Sequence, residues 1–446
     1  MLSTIRSFVE AIQQVLSIDH IRQTAKDTKF IQRQRGLKAE DFLNICAFLS
    51  YTPGEKSLDY ICGAIAQLSN RDLSKQALDQ RFTSRAVDFL KTIFLQLAEQ
   101  QAWFTVPIQS SHPFKRIRLL DATSFHVPQR EPHQESGAKI QLEYELLSGQ
   151  FIHTLLQEMR ASDQDMASQL ASTILPGDLI LRDLGYFSGE HLQKIDQEGG
   201  YYITRVPSNQ TFWTWDEDGK KVKLDLEEDG EALTPGETQD YGVIQIGKKG
   251  KNIVQTRVVV QRLTEEQQHQ RQAYLKERRR KGGHTQSANK RNHIQILATN
   301  VTQEQLDAQE LYPFYSLRWQ VEILFKTWKS IFHIDHVRHL KPERLYCHLY
   351  GTLIHILLSS MITFQCRYYL HQKYQMEISE YKCIYQAKQA IELTQGNMLY
   401  HFSSFVTNVK KVFQVACRHA RKDHRKRHTS PFDILYISYK ETVSTS

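Results

Sequence analysis

One stretch late in the chain, YSLRWQVEILFKTWK, places four chemically capable side chains at helical intervals. They follow one another by steps of three, four and seven residues: Tyr315, Arg318, Glu322 and Lys329. A helix would carry all four on nearly the same side and bulky apolar residues on another. A carboxylate suits a hard cation, whereas guanidinium and ammonium groups suit phosphate oxygens. The pattern is also typical of a solvated helix face with an Arg318–Glu322 ion pair.

Two upstream aspartates lie in segments that otherwise look like buried strands. Asp121 interrupts the apolar segment RIRLLDATSFHVP, where an unpaired buried carboxylate would be costly. Asp183 ends the segment DLILRD, on the side where a site would lie. Asp178, its rival, follows Pro-Gly and is typical of a turn residue that opens the strand. Because acids at strand ends are often caps or turn formers, both aspartates keep that structural alternative.

The order Tyr, two residues, Arg, three residues, Glu, six residues, Lys resembles the YREK signature of DDE transposases of bacterial insertion sequences, in the insertion-sequence-four group. DATSF, which begins at Asp121, and RDLGYFS, which contains Asp183, resemble the first- and second-acid motifs of the same family. One departure is Leu184, where the family frequently has a basic residue; it puts a minor phosphate contact in doubt. The resemblance covers roughly residues 30 to 370.

The resemblance implies a metal-dependent enzyme acting on double-stranded DNA. Its catalytic residues and metal ligands would be Asp121, Asp183 and Glu322, with Tyr315, Arg318 and Lys329 on DNA phosphates. Three carboxylates suit Mg²⁺ or Mn²⁺, and two ions roughly 3.5–4 Å apart would serve an in-line displacement. In such proteins water nicks one strand, the freed 3′-hydroxyl forms a hairpin, and the reopened end joins target DNA. A homodimer assembled on paired transposon-end inverted repeats is implied as well.

The spacing of apolar residues changes at Arg116 from a helical to a strand-like period, which indicates the elements that position these residues. From Arg116 to Val206 the order is three antiparallel strands, a helix over 164–175, a strand, a helix and a strand, which is the order of a ribonuclease-H-like fold. The predicted class is α/β: a ribonuclease-H-like catalytic core interrupted by a β-rich insertion, with helical N- and C-terminal regions. The expected divisions are a DNA-binding N-terminal region (1–110), the first part of the core (111–206), the β-rich insertion with a basic loop (207–292), the second part of the core (293–370) and a C-terminal region (371–446).

Positive charge is concentrated in two places on a chain of net charge +8. Residues 271–291 hold eight Lys or Arg against one acid, giving +7, and residues 417–428 hold six against one, giving +5. Such clustering favours a polyanion partner, although a solvated basic loop would look the same. The predicted phosphate contacts of the loop are Arg278, Arg279, Arg280 and Lys281. In the same insertion, Trp213 and Trp215 either stack on an unpaired base or pack on a sheet.

The N-terminal region offers a weaker indication of DNA binding. Ser74 is a plausible N-cap for SKQALDQRF, a short helix after a turn that would expose Gln, Arg and Lys to a major groove. Many helical bundles have the same pattern.

The six cysteines form no CxxC pair and are predicted to be buried free thiols, with no zinc site. The most apolar run, Leu349–Phe364, is too short and too polar for a bilayer. We therefore expect a cytoplasmic, nucleoid-associated protein without a membrane partner.

Three other functions fit parts of the sequence. A ribonuclease-H-like nuclease would cut without joining, but Tyr315, Arg318 and Lys329 together argue against it. A transposase-derived DNA-binding protein would need no catalysis, but the presence of all three acids argues against it. A helical scaffold protein with an incidental polar stripe would not bind DNA.

Overall fold

The computed structural model describes residues 2–31, 36–49, 55–69, 72–104, 107–128, 136–159, 171–248, 251–280, 291–394, 399, 402–422 and 429–439. Helices form the N-terminal part of the chain: α1 (Leu2–Leu16), α2 (Ile18–Asp27), α3 (Ala39–Asn44, continued as a π-helical turn over Ile45–Leu49), α4 (Leu58–Ser69), α5 (Lys75–Asp79) and α6 (Ser84–Phe104).

The middle of the chain forms one mixed sheet. Its strands are β1 (Arg116–Val127), β2 (Ser136–Glu145), β3 (Phe151–Glu158), β4 (Asp178–Arg182), β5 (Tyr201–Arg205), β6 (Phe212–Trp215), β7 (Lys221–Leu224), β8 (Thr238–Lys248), β9 (Lys251–Arg262) and β10 (Ile294–Thr299). The later helices are α7 (Gly189–Gln197), α8 (Leu226–Ala232), α9 (Glu265–Arg280), α10 (Ala308–Ser316), α11 (Trp319–Phe332), α12 (Pro342–Tyr374), α13 (Glu380–Glu392), α14 (Phe402–His419) and α15 (Pro431–Ile434). The chain is therefore mixed α/β with a large sheet.

The strand order is β3-β2-β1-β4-β5-β10-β9-β8-β6-β7. β1, β2 and β3 are antiparallel neighbours, whereas β4 is parallel to β1 and β5 is parallel to β4. The five strands predicted along the chain from Arg116 to Val206 are present, and the first three are antiparallel as predicted. The helix predicted over 164–175 falls mostly outside the described residues, and its described end is a 3₁₀ turn at Ala171–Thr173.

The strands predicted after Val206 are present as β6 to β9, and α8 was not predicted from the sequence. β9 pairs with β10, which in turn pairs with β5. These four strands therefore extend the same sheet. Strand pairing of this kind is non-local, so local sequence patterns do not reveal it.

α5 begins as the sequence predicts, because the Ser74 side chain accepts a hydrogen bond from the Ala77 N–H. The helix ends at Asp79, which is earlier than expected. Lys75 and Gln76 on it are exposed. DNA reading by this helix stays a prediction.

α12 is the central helix of the larger hydrophobic core. By length and composition it could cross a membrane, but 94% of its apolar window is buried inside the protein. His355, near its middle, hydrogen-bonds through Nδ1 to the carbonyl oxygen of Ala47 at 3.0 Å. The apolar run Leu349–Phe364 therefore lies in the core of the protein.

Gly351 lets α12 approach the π-helical turn at Ile45–Leu49 closely. A Cβ at this position would overlap the backbone carbonyl of Cys46, which cannot move aside as a flexible side chain would. We expect Gly351→Ala to lower the free energy of unfolding by about 1–3 kcal/mol, as overpacking does. Urea unfolding would measure this change. Gly63→Ala in α4 is the matched control, since a Cβ there meets nothing within 4 Å. A Gly351→Ala protein as stable as Gly63→Ala would contradict the close approach.

Candidate active site

The single helix predicted over Tyr315–Lys329 is wrong in its first turn. Tyr315 belongs to α10, which ends at Ser316, and α11 begins only at Trp319. Leu317 and Arg318 keep right-handed helical dihedral angles, but the hydrogen bonds here tighten to the i→i+3 pattern. Because the dihedral angles stay helical, the hydrophobic periodicity continues through the break and does not reveal it.

The tightened turn buries two members of the polar stripe. Tyr315 is 4% exposed and Arg318 is 6% exposed. The Arg318–Glu322 ion pair exists at 2.9 Å, but the solvated-face interpretation is wrong for Tyr315 and Arg318. The Tyr315 hydroxyl donates to the backbone carbonyl of Arg182 at 3.4 Å, which joins α10 to the end of β4.

The sheet places the two aspartates side by side. Leu120 of β1 pairs with Arg182 of the parallel strand β4, so Asp121 and Asp183 follow in the next row. Asp183 keeps an extended backbone as it leaves the strand and precedes a 3₁₀ turn at Leu184–Tyr186. Two carboxylates therefore emerge from neighbouring parallel strands.

Arg318 connects Asp121 to the glutamate on α11. Its Nη2 donates to Glu322 Oε1 at 2.9 Å, and its Nη1 lies 3.5 Å from Asp121 Oδ2. Its guanidinium carbon also lies 5.0 Å from the centre of the Trp319 ring. Both carboxylates remain accessible, since the side chains of Asp121 and Glu322 are 19% and 26% exposed.

α11 is held against the sheet by a buried aromatic cluster. Trp328 is fully buried, with its ring centre 5.6 Å from Phe151 on β3 and 5.3 Å from Phe325. This packing fixes the rotation of α11 about its axis. The rotation determines where Glu322 points, since Glu322 precedes Trp328 by six residues on the same helix.

The negative charge around the site disfavours the ionised forms of Asp121 and Glu322. Burial raises the pKa of Asp121 to about 6, and the charges of Glu322 and Asp183 act in the same direction. Burial also raises the pKa of Glu322, with a further contribution from Asp183. Although burial lowers the pKa of Arg318, the surrounding negative groups raise it above its ordinary range. A cation in this region would relieve the repulsion.

The donor chemistry fits a divalent cation, since three carboxylates are hard oxygen ligands. The side chains as placed do not form a ready ligand cage. Within the described ranges, no three His, Cys, Asp or Glu side chains are arranged to hold a metal ion. The Arg318 guanidinium lies between Asp121 and Glu322. An ion bound by both carboxylates would therefore require Arg318 to shift.

The remaining predicted contacts lie further away or cannot be placed. Lys329 is half-buried on α11, about 10 Å beyond Glu322 along the helix axis. Arg280 is exposed at the last residue of α9. The side chains of Arg278 and Arg279, and the whole of Lys281, lie outside the described residues.

A buried ionic network next to the acids was not predicted from the sequence. Its members are Arg116, Arg118, Glu143, Asp178, Arg182 and His191. Asp178 opens β4 as expected, but it is 1% exposed and pairs with two arginines, so it is more than a turn residue. The charged residues that interrupt these otherwise apolar strands could have indicated the network from the sequence.

The described cysteines are free thiols, as predicted. Four are buried, and Cys62 and Cys417 are half-buried.

The chain resembles known proteins over nearly its whole length. Residues 112–358 match the family model described as Transposase DDE domain. The chain is 34% identical, over 97% of its length and 95% of the relative's, to the transposase for insertion sequence element IS231C of Bacillus thuringiensis subsp. berliner. It is 34% identical to the IS231E transposase of Bacillus thuringiensis subsp. finitimus, covering 98% and 96% of the two chains. It is 30% identical to the IS1151 transposase of Clostridium perfringens, covering 98% and 97%. The chain therefore belongs to the DDE transposases of insertion sequences.

Proposed function

We propose that this transposase binds the inverted-repeat ends of its own element and catalyses cut-and-paste transposition. Membership of the family implies enzymatic action on DNA and dependence on a divalent metal. The proposal adds that Asp121, Asp183 and Glu322 are the catalytic carboxylates. It also adds that Mg²⁺ or Mn²⁺ binds there as two ions, and that a homodimer acts on paired ends.

One observation carries the assignment of the acids. Asp121 and Asp183 leave adjacent parallel strands in the same row, and Glu322 is tied to Asp121 through the guanidinium of Arg318. The raised pKa of Asp121 supports the same grouping, because Asp183 and Glu322 both contribute to it. Acids that raise one another's pKa in an accessible site are typical of functional clusters.

The strand order supports a ribonuclease-H-like core for this site. β1 to β5 follow the order 3-2-1-4-5, with β2 antiparallel and β4 parallel to β1. The two aspartates lie on β1 and directly after β4, and Glu322 lies on a helix that follows the sheet. We infer that β6 to β9, with the basic segment after α9, form the insertion of this core.

The proposed reaction is an in-line displacement at phosphorus. Bound divalent ions would activate the nucleophile and stabilise the leaving oxygen. Water attacks the scissile phosphorus, the bond to the 3′-oxygen breaks, and that oxygen leaves as a 3′-hydroxyl. That hydroxyl then attacks a phosphorus of the opposite strand, whose bond to the 3′-oxygen of the flanking DNA breaks, so the element ends in a hairpin and the flank leaves with a free 3′-hydroxyl. Water reopens the hairpin by the same displacement, and the 3′-hydroxyl it frees attacks a phosphorus of the target DNA, which releases a 3′-hydroxyl there.

Arg318 and Lys329 supply positive charge to the phosphate groups in this scheme. Arg318 is paired with the carboxylates of Glu322 and Asp121, so we propose that it transfers part of its hydrogen bonding to DNA on binding. Tyr315 remains a neutral donor, because burial raises its pKa to about 12.

The β6–β7 hairpin offers a second surface suited to DNA. Lys221 of β7 lies 5.0 Å from the centre of the Trp213 ring and 5.9 Å from that of Trp215. Trp215 is 44% exposed, so its ring is available to a base. The Trp213 Nε1–H donates to Thr211, which favours packing for that ring.

The test is cleavage of DNA that carries the element's own ends, in Mg²⁺ and in EDTA. We expect nicked, hairpin and excised products only with Mg²⁺. Cutting without hairpins or joined products would favour the nuclease. End binding without cleavage would favour the transposase-derived DNA-binding protein. Failure to bind the ends at all would refute the proposal.

A further inference from the structure

The buried ionic network lies on the face of the sheet opposite to Asp121. Leu120 pairs with Glu143 of β2 on one side and with Arg182 of β4 on the other. Asp121 and Asp183 follow in the next row, and successive side chains of a strand point to opposite faces. Glu143 and Arg182 therefore lie on the opposite face of the sheet, in the row directly before the two aspartates.

The part of the network farther from Asp183 along the strands is well paired. Arg118 is completely buried and donates to both carboxylate oxygens of Glu143, at 3.2 and 2.6 Å. It also donates to Asp178 Oδ2 at 3.0 Å. Arg116 donates to both oxygens of Asp178 and closes this end of the network. Arg118, Glu143 and Asp178 therefore each have an oppositely charged partner in hydrogen-bonding contact.

Arg182 is paired far less well. It is 4% exposed, and its Nη2 approaches Glu143 Oε1 only to 3.7 Å. Its Nη1 contacts His191, whose pKa burial lowers to about 3, so the imidazole is neutral and brings no compensating charge. Nε and Nη2 of Arg182 have no hydrogen-bond partner among the described residues. A guanidinium buried with so little compensation is costly for folding.

The position of Arg182 suggests why a poorly paired arginine is buried here: it holds the backbone next to Asp183. It is the residue directly before Asp183, and its carbonyl oxygen accepts the hydrogen bond from Tyr315. The backbone at this point is thus held on one side by α10 and on the other by the side chain of Arg182 in the network. Any shift of Arg182 would move Asp183 relative to Asp121.

We propose that Arg182 and Glu143 are positioning residues that fix the separation of Asp121 and Asp183 for metal binding. The inference rests on the proposed role of these aspartates as metal ligands. Residues that orient ligands from behind commonly change metal affinity or activity about 10- to 100-fold when they are replaced. A purely structural role would change thermal stability without a specific change in metal affinity.

The test compares Mn²⁺ affinity by calorimetry, the Mg²⁺ concentration for half-maximal cleavage, and the melting temperature. We expect Arg182→Met to bind transposon ends normally, to weaken Mn²⁺ binding about tenfold or more, and to raise the Mg²⁺ requirement similarly. Arg182→Lys should recover part of both losses. Arg116→Met is the matched control, because it removes a guanidinium from the far, partly exposed end of the network. It should lower the melting temperature only.

Unchanged Mn²⁺ affinity in a folded Arg182→Met protein would overturn the inference. If that variant does not fold, unchanged Mn²⁺ affinity in a folded Glu143→Gln protein would overturn it. Asp183→Asn distinguishes a failure of the positioning role from a failure of the proposed metal site. Loss of Mn²⁺ binding in Asp183→Asn but not in Arg182→Met refutes the positioning role alone. Retention of wild-type Mn²⁺ binding in Asp183→Asn refutes the proposed metal site and the positioning role together.

Discussion

Glu322→Ala is expected to lower Mg²⁺-dependent cleavage of the element's ends by about 10³-fold or more while leaving end binding intact. The carboxylate lies in the first turn of α11 and is the third hard ligand of the proposed site. Without it, the pair of ions would lose a shared anchor. Stability should change little, since the substitution removes the Arg318 ion pair but also removes repulsion from Asp183. Cleavage and gel-shift assays on the same preparation would measure both quantities.

Glu190→Ala is the matched control for this substitution. Glu190 lies in the first turn of α7, is exposed, and would lose the same favourable interaction with the helix dipole. It should cleave as the wild type does. Equal cleavage by wild type and Glu322→Ala would mean that Glu322 is an ordinary surface residue. Loss of end binding in Glu322→Ala would instead place Glu322 in the DNA interface.

Much of the framework around the site could be predicted from local patterns. The apolar run before Asp121, the buried segment before Asp183 and the Pro-Gly turn before Asp178 each predicted a strand, and β1 and β4 are there. These predictions work because strand propensity and turn chemistry act within a few residues. The apolar run Leu349–Phe364 was equally visible, and it forms the buried middle of α12.

The features that were missed depend on distant partners. Arg118, Glu143 and Arg182 are charged residues within strands, and nothing local shows that one arginine will satisfy two carboxylates from other strands. The break between α10 and α11 was hidden for the opposite reason. Leu317 and Arg318 stay in helical conformation, so hydrophobic periodicity passes through the break unchanged. Only the packed structure shows that Tyr315 and Arg318 turn inward.

Asp121→Asn is expected to abolish cleavage and yet stabilise the metal-free protein at pH 8. Burial raises the pKa of Asp121 from 3.8 to about 6, so the folded state binds this proton more tightly than the unfolded chain does. The resulting stability is fully present below pH 3.8 and is lost as the pH rises through about 6. Asn mimics the protonated acid, so we expect about 1–3 kcal/mol of added unfolding free energy at pH 8. Urea unfolding in EDTA at pH 4 and pH 8 would measure this difference.

Asp178→Asn, one strand away, should show the opposite sign. Burial alone would raise the pKa of Asp178, but hydrogen bonds from Arg116, Leu175 and Arg118 lower it overall. Its ionised form therefore stabilises the fold above its ordinary pKa, and Asp178→Asn should lose about 3–5 kcal/mol at pH 8 because a buried pair is broken. Mg²⁺ should stabilise Asp178→Asn and the wild type but not Asp121→Asn. If Asp121→Asn were less stable than the wild type at pH 8, Asp121 would be a structural ion-pair partner of Arg318. The ionised Asp121 carboxylate would then stabilise the fold in EDTA, whereas a buried carboxylate that serves as a metal ligand is expected to destabilise it there.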